Sequence, residues 1–245
     1  SAIDRNIYNK KFKSTCDAAD VIIAVSEQTK KDIQEFYFIP AEKIKVIYQS
    51  CDEQFQETTS PEVLINARKK YSLPENYLLY VGTIEERKNL LTILKALRHI
   101  KEIPLVVIGK KRAYFKKITD YISEKKLNNR IIFPENVLNE DLPAIYSGTE
   151  IFIYPSVFEG FGIPVLEALT SKVPVITSKG SCFAEAGGPD SIYIDPLNEE
   201  ELTFHIEKIT ASSELRREMQ NKGLNYAQKF RTEIVAKQIM NLYIE

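Results

Sequence analysis

From residue 77 onward, short apolar runs alternate with stretches of helical period. The runs fall at 77–81, 104–108, 130–133, 151–154, 173–177 and 191–194. They are rich in Val, Ile, Leu and Tyr and mostly continuous, as befits strands buried on both faces. Between them, Leu90, Leu94 and Leu97, with Ile93 and Ile100 one register over, trace a helix starting near Asn89. Further helices are predicted at 111–126, 139–147, 163–171, 198–210, 213–229 and 232–243. Asn198 followed by Glu201 has the form of a reciprocal helix cap. Strand–helix alternation requires parallel strands joined by right-handed crossovers, so the predicted fold class is α/β with a doubly wound, Rossmann-like parallel sheet.

The first segment reads differently. A buried strand at 21–25, a helix at 27–37 capped by Ser26 and a second strand at 45–48 are too little to bury a core. They are expected to be the remnant of a second domain whose main body lies elsewhere. The expected organisation is 1–59 as the end of that domain plus a polar linker, 60–230 as the main domain, and 231–245 as a helix returning to the first unit. Within the linker, 49–59 has no periodicity, and a helix follows at 61–70.

With 44% hydrophobic and 27% charged residues, the chain has the composition of a globular protein. A net charge of −1 gives no reason to expect nucleic acid as a partner. No apolar run approaches the roughly 20 residues of a spanning helix. The polar, lysine-rich start does not read as a signal peptide, and Cys16, Cys51 and Cys182 have no metal-like spacing. Reduced thiols and a cytoplasmic location, peripheral at a membrane at most, are expected. A basic stretch, Lys110-Lys111-Arg112 with Lys116-Lys117 and Lys125-Lys126, could touch anionic lipid; such runs are more often a solvated helix face.

Ligands of an open parallel sheet bind beyond the carboxyl ends of its strands. Gly82 and Gly109 directly follow strands, while Gly160 and Gly162 lie in the loop after 151–154. A third glycine that would complete G-x-G-x-x-G is absent, and no Walker-type loop occurs, which disfavours dinucleotide-binding and P-loop enzymes. Pro164 marks the first turn of a helix whose free amides face the ligand side, a ready phosphate site. Two acids bracket that turn. An isolated acid in such a place is usually solvated, but Glu167 lies between Leu166 and Ala168 on a helix that must pack, so it needs a partner. Across the cleft, Arg87 and Lys88 fall at the start of a helix, against its dipole, an arrangement that a polyanion held between them would offset; a solvated Arg-Lys pair screened by Glu85 and Glu86 is the other reading.

The stretch Pro155-Ser156-Val157-Phe158-Glu159-Gly160-Phe161-Gly162-Ile163-Pro164-Val165-Leu166-Glu167-Ala168 resembles the E-x7-E signature of the GT-B-fold retaining glycosyltransferases called family 4, or group 1. Gly82-Thr83-Ile84-Glu85-Glu86-Arg87-Lys88-Asn89 resembles that family's glycine-to-lysine loop, and the likeness runs through Glu185-Ala186-Gly187 and Ile194-Asp195-Pro196. Residues 21–26, 43–47 and Cys51-Asp52-Glu53-Gln54-Phe55 resemble the end of its first domain. The resemblance implies transfer, with retention, from a nucleotide diphosphate sugar to the hydroxyl of a saccharide or lipid-linked saccharide acceptor. Catalytic roles fall on Lys88, at the leaving diphosphate, and on Glu159, at the sugar. Donor binding falls on Gly82, Thr83, Arg87, Lys88, Val137, Glu159, Gly160, Phe161, Gly162, Ile163 and Glu167, with Glu167 on the ribose and the base near 135–137. No cofactor or metal is expected beyond the substrate.

Thr83 departs from the arginine common at that position, and Phe133-Pro134-Glu135 replaces a small residue and glycine. The acceptor-side domain is missing, so this chain alone is expected to bind a donor without transferring from it. His99 and His205 are expected to be structural. The glycine-to-lysine loop also resembles that of bacterial mannosyltransferases of surface polysaccharide assembly, which points to GDP-mannose over UDP-sugars. A glycosidase would use two carboxylates but leaves the phosphate-oriented features unexplained. The alternative of another class is a non-catalytic nucleotide-sugar-binding module working with a separate chain.

Overall fold

The computed structural model describes residues 2–100 and 103–244. Ser1 and Glu245, the ends of the predicted first and last segments, lie outside the described residues. The chain opens on α1 (Ala2–Ala18), β1 (Ile22–Ala24), α2 (Glu27–Tyr37) and β2 (Ile44–Val46), with β1 and β2 paired in parallel. No helix was expected over α1. Its stripe of Tyr8, Phe12 and Cys16 is diluted by charges, and Tyr8 stays mostly exposed. Phe12 packs against Tyr37 with ring centroids 4.7 Å apart. Cys16, Ala24, Ile33, Ile39 and Ile44 form a small core between these elements. Ile23, on the outward side of β1, is 43% exposed.

The linker is more structured than its polarity implied. A 3-10 turn at Glu53–Gln56 buries Phe55 edge-on against Tyr146, so Cys51 and Phe55 join the large core. Then come α3 (Pro61–Tyr71), β3 (Leu78–Val81), α4 (Leu90–Leu97), β4 (Leu105–Ile108), α5 (Phe115–Glu124), β5 (Ile131–Ile132), α6 (Leu142–Ser147), β6 (Ile151–Tyr154), α7 (Ile163–Thr170), β7 (Val175–Ser178), α8 (Phe183–Gly187), β8 (Ile192–Ile194), α9 (Glu199–Ala211), α10 (Ser213–Ala227) and α11 (Thr232–Asn241). Strands β3 to β8 form a six-stranded parallel sheet in the order β5-β4-β3-β6-β7-β8. This is the doubly wound topology anticipated from the alternation. Order reverses between β3 and β6, so the two connections leaving them part at that point.

The central strands β3 and β6 are buried along their length except at Val81, the last residue of β3, as their unbroken apolar sequence requires. α4 packs on α9, and α7 on α10, so one pair covers each face. Beyond the C-terminal end of α4, the Arg130 guanidinium donates to the carbonyls of Leu97 (2.5 Å), the last residue of the helix, and of Ile100 (2.7 Å) and Ile103 (2.9 Å) in the connection to β4. Asn198 caps α9 by accepting from the amides of Glu200 and Glu201. Glu201 does not reciprocate as the capping pattern predicted. Its carboxylate instead takes the Asp195 amide (2.8 Å) and Lys179 (2.6 Å), because the strand end brings both within reach.

α11 has no fully buried residue. Its first residue, Thr232, shares a 3.0 Å hydrogen bond with Ser50 of the linker. All three cysteines are free and buried. Among the described residues, no helix is long and apolar enough to cross a membrane. The basic stretch is largely occupied: Lys111 approaches Glu135 (3.8 Å), Lys116 pairs with Asp120 (2.7 Å) and Lys117 with Glu86 (3.5 Å).

Candidate functional site

The loop after β3 and the loop after β6 meet at the switch point. At the end of β3 the chain turns sharply, and a Cβ on Gly109 would lie 1.9 Å from the Gly82 carbonyl oxygen, so β3 and β4 exit in near contact. Residues Glu86–Lys88 form a 3-10 turn, and Asn89 takes a left-handed conformation (φ 57°) before α4 begins. Arg87 and Lys88 therefore precede the helix rather than occupying its first turn. Thr83 lies half-buried beside them and supplies no cation.

Glu159 is the meeting point. One of its oxygens, Oε1, accepts from Tyr154 Oη (2.9 Å) and Ser156 Oγ (2.9 Å) and faces Arg87 Nη1 (2.9 Å) and Lys88 Nζ (3.4 Å). Oε2 has no protein partner among the described residues. Burial pushes this carboxyl up, but Lys88, the Tyr154 and Ser156 hydroxyls and Arg87 together outweigh it and hold the group below the usual carboxylate range. Lys88 Nζ donates to Tyr154 Oη at 2.6 Å, so the phenol relays between the cation and the carboxylate. Arg87 is more occupied: Nη2 pairs with Glu85 (2.8 Å), and Nη1 also meets the Phe158 carbonyl.

Gly162 ends the loop with φ 114°, a left-handed value that only glycine adopts without strain, and α7 begins at Ile163 with Pro164 in its first turn. Three consecutive carbonyls of this loop are held from behind. Glu159 accepts from Ser181 Oγ (3.2 Å) and Cys182 Sγ (3.2 Å), Gly160 from Ser26 Oγ (2.7 Å) and Thr29 Oγ1 (3.1 Å), and Phe161 from Cys182 Sγ (2.9 Å). Burial raises the Cys182 thiol to about 12, so it keeps its proton and donates. Among the described residues, the amides of Gly160, Phe161, Gly162 and Ile163 have no hydrogen-bond acceptor. Successive unpaired N–H groups at a helix start form a concave anion site. The Phe161 ring lies away from it, buried between Tyr48 (5.6 Å) and Phe230 (5.4 Å), so only its backbone faces the loop.

Glu167 sits one turn into α7, largely buried. Tyr146 donates to its Oε2 at 2.7 Å, and Oε1 has no partner among the described residues. Burial lifts this carboxyl above its ordinary value, opposed by the Tyr146 hydrogen bond and assisted by the charge of Asp52. Val137 lies in the loop beyond β5, at the sheet's edge, with its side chain packed toward the core. The loop's next amide, Leu138, donates to Tyr71 Oη (3.1 Å). β5 is two strands from β3, a separation of about 10 Å, comparable with the reach from a nucleotide's phosphates to its base. His99 follows α4 and His205 lies on α9, and neither touches Lys88, Glu159 or Glu167.

Sequence reading missed Tyr154, Ser156 and Tyr146, which hold the two glutamates, and Ser26 and Thr29, which reach the loop from the first unit. Tyr154 closes an apolar run read as a buried strand, and Tyr146 falls in the helix predicted at 139–147. The only available signal was the choice of tyrosine over phenylalanine at buried positions, where a hydroxyl needs a partner.

A doubly wound parallel sheet in the order found here, with its ligand-side loops meeting at the switch point, is the Rossmann-like architecture of GT-B glycosyltransferases. The profile of the family "Glycosyl transferases group 1" matches residues 65–226, and that of "Glycosyltransferase Family 4" matches residues 2–55. The chain belongs to the glycosyl transferases of group 1. It is 28% identical over 240 residues to the O-antigen chain mannosyltransferase B of Escherichia coli, covering 96% of this chain and 63% of that protein. The chain thus spans less than two thirds of that relative. Among solved structures it is similar to a glycosyltransferase of Rickettsia africae (TM-score 0.84, 21% identity, 95% of this chain and 66% of that one). It is also similar to Anabaena Alr3699/HepE in complex with UDP and glucose (TM-score 0.84, 20% identity, 93% and 63%).

Proposed function

We propose that this chain is the donor-binding part of a retaining glycosyltransferase that moves a hexosyl group from a nucleotide diphosphate sugar to an acceptor hydroxyl, in bacterial polysaccharide or glycolipid assembly. The observation that carries this is the convergence of the Lys88 ammonium, the unpaired amides of 160–163 and a half-satisfied Glu159 at one point of the sheet. The diphosphate would lie against Lys88 and the α7 N-terminus, which stabilise charge as it grows on the leaving phosphate. The open Oε2 of Glu159 would accept hydroxyls of the transferred sugar. The open Oε1 of Glu167 would accept those of the ribose, and the base would rest on the backbone near Val137. Arg87 is tied to Glu85 and Glu159, so its part is to hold Glu159 rather than to replace the cation missing at Thr83. Lys88 and the amides would do the work a metal ion does elsewhere.

The likeness to an O-antigen mannosyltransferase favours GDP-mannose as donor. Residues 1–59 and the helix from 231 would belong with the acceptor-side domain, and residues 60–230 with the donor.

Calorimetric titration with GDP, UDP and their sugars tests the reading. Binding is expected in the micromolar to low millimolar range, weakened by Glu167→Ala for nucleotide and sugar nucleotide alike. Glu159→Ala should remove mainly the advantage of the sugar nucleotide over the free nucleotide. No binding of either nucleotide at millimolar concentration would end the proposal. Binding by the whole protein without transfer would favour a non-catalytic module.

A further inference from the structure

Helix α2 belongs to the small first unit, yet its N-terminus is clasped to the large one from two sides. Ser26, fully buried, donates to the Gly160 carbonyl at 2.7 Å, and Thr29 adds a second hydroxyl at 3.1 Å. In return, the Glu185 carboxylate of α8 receives the amides of Glu27 (2.6 Å) and Gln28 (3.1 Å), groups that a helix start leaves unpaired. A carboxylate there also suits the positive end of the helix.

The consequence follows from peptide geometry. In a planar trans peptide, the carbonyl and the next residue's N–H point in opposite directions. Fixing the Gly160 carbonyl toward α2 turns the Phe161 N–H away from it, and that N–H has no acceptor among the described residues. The flanking peptides are fixed in the same way by Ser181 and Cys182, but from within the large unit. Only the middle amide depends on the other unit.

We infer that Ser26 and Thr29 are positioning residues that aim the Phe161 amide at an anionic phosphate oxygen of the donor, with Glu185 keeping α2 docked for the purpose. The inference rests on the donor reading above. It makes the cradle complete only while the first unit is seated against the loop, so donor phosphate and domain position are coupled through one peptide plane.

The test compares nucleoside diphosphate with monophosphate (GDP with GMP, UDP with UMP) by calorimetry on the whole protein. Ser26→Ala is expected to weaken the diphosphate about tenfold, the size of one hydrogen bond to a charged group, and the monophosphate by less than twofold. Ser26 also caps α2 through the Thr29 amide, so thermal melting checks folding. Thr29→Val, which keeps that cap, should weaken the diphosphate in the same selective way, and Thr29→Ser should restore it. Diphosphate and monophosphate weakened alike, or Thr29→Val and Ser26→Ala both matching the parent, would overturn the inference while leaving the donor reading intact. A parent protein that binds neither diphosphate would overturn the donor reading itself.

Discussion

Replacing Tyr154 with phenylalanine removes one oxygen from the centre of the site and leaves the ring in place. The ring keeps its neighbours Phe152 at 5.9 Å and Tyr80 at 6.0 Å. The phenol accepts from Lys88 at 2.6 Å and donates to Glu159 at 2.9 Å. Burial, reinforced by the adjacent Glu159 charge, pushes its ionisation far up, so it remains a donor at any accessible pH. Two hydrogen bonds to charged groups have a gross value of about 3–6 kcal/mol. Much of that is recovered, because Glu159 retains Ser156 and Arg87, Lys88 retains Glu159 at 3.4 Å, and no buried polar atom is orphaned. A net loss of about 1–2 kcal/mol is expected, or roughly 2–8 °C in melting temperature for a chain of this size. Without the phenol to hold it in place, the Lys88 ammonium should also bind a nucleoside diphosphate several-fold less tightly.

Thermal melting with and without GDP or UDP reads both effects. Tyr80→Phe is the control, because its hydroxyl makes only a 3.3 Å contact with the Thr83 carbonyl and touches no charge. If Tyr80→Phe cost as much as Tyr154→Phe, or if Tyr154→Phe left melting and nucleotide affinity unchanged, the relay would have no energetic content.

Glu167→Gln should change how stability depends on pH. The folded carboxyl lies above its ordinary value of 4.5, so its contribution is complete below that pH and is lost as pH rises through the folded value. The glutamine variant has no such loss. Its unfolding free energy relative to the parent, from urea titrations, should rise from pH 4 to pH 8, by about 1.4 kcal/mol for each unit separating the two values, and a pH-independent difference would refute this. Gly109→Ala should be far more damaging than its size suggests, because the new Cβ would fall 1.9 Å from the Gly82 carbonyl. A loss of about 3 kcal/mol or more, with displacement of the loop bearing Lys88, is expected from denaturation and nucleotide titration, and a near-neutral result would show that the strand ends can part freely.

The large domain was legible because continuous apolar runs and helical stripes leave few alternatives once the crossovers must be right-handed. The loops carrying Lys88 and Glu159 were legible for a related reason, since the topology assigns ligands to those strand ends. What escaped was of two kinds. α1 and the turn burying Phe55 carry too few apolar residues to stand above their charged neighbours. The partners of Glu159, Glu167 and Gly160 are hydroxyls whose pairing depends on contacts distant in sequence, with Ser26 and Gly160 being 134 positions apart. Local patterning contains no record of such pairings.

The sheet order has a consequence for how the molecule is made. β3 pairs with β4 soon after both have emerged, but its other neighbour is β6, some 70 residues downstream. Until Ile151–Tyr154 is synthesised, the fully apolar edge of β3 has no partner, and an unpaired apolar edge is a template for aggregation. Tyr154, whose hydroxyl organises the two sides of the cleft, arrives with the strand that closes that edge. A chain ending before it would hold three of the six strands and an open apolar edge, so insertion of β6 both closes that edge and sets the Glu159 loop beside the Lys88 loop.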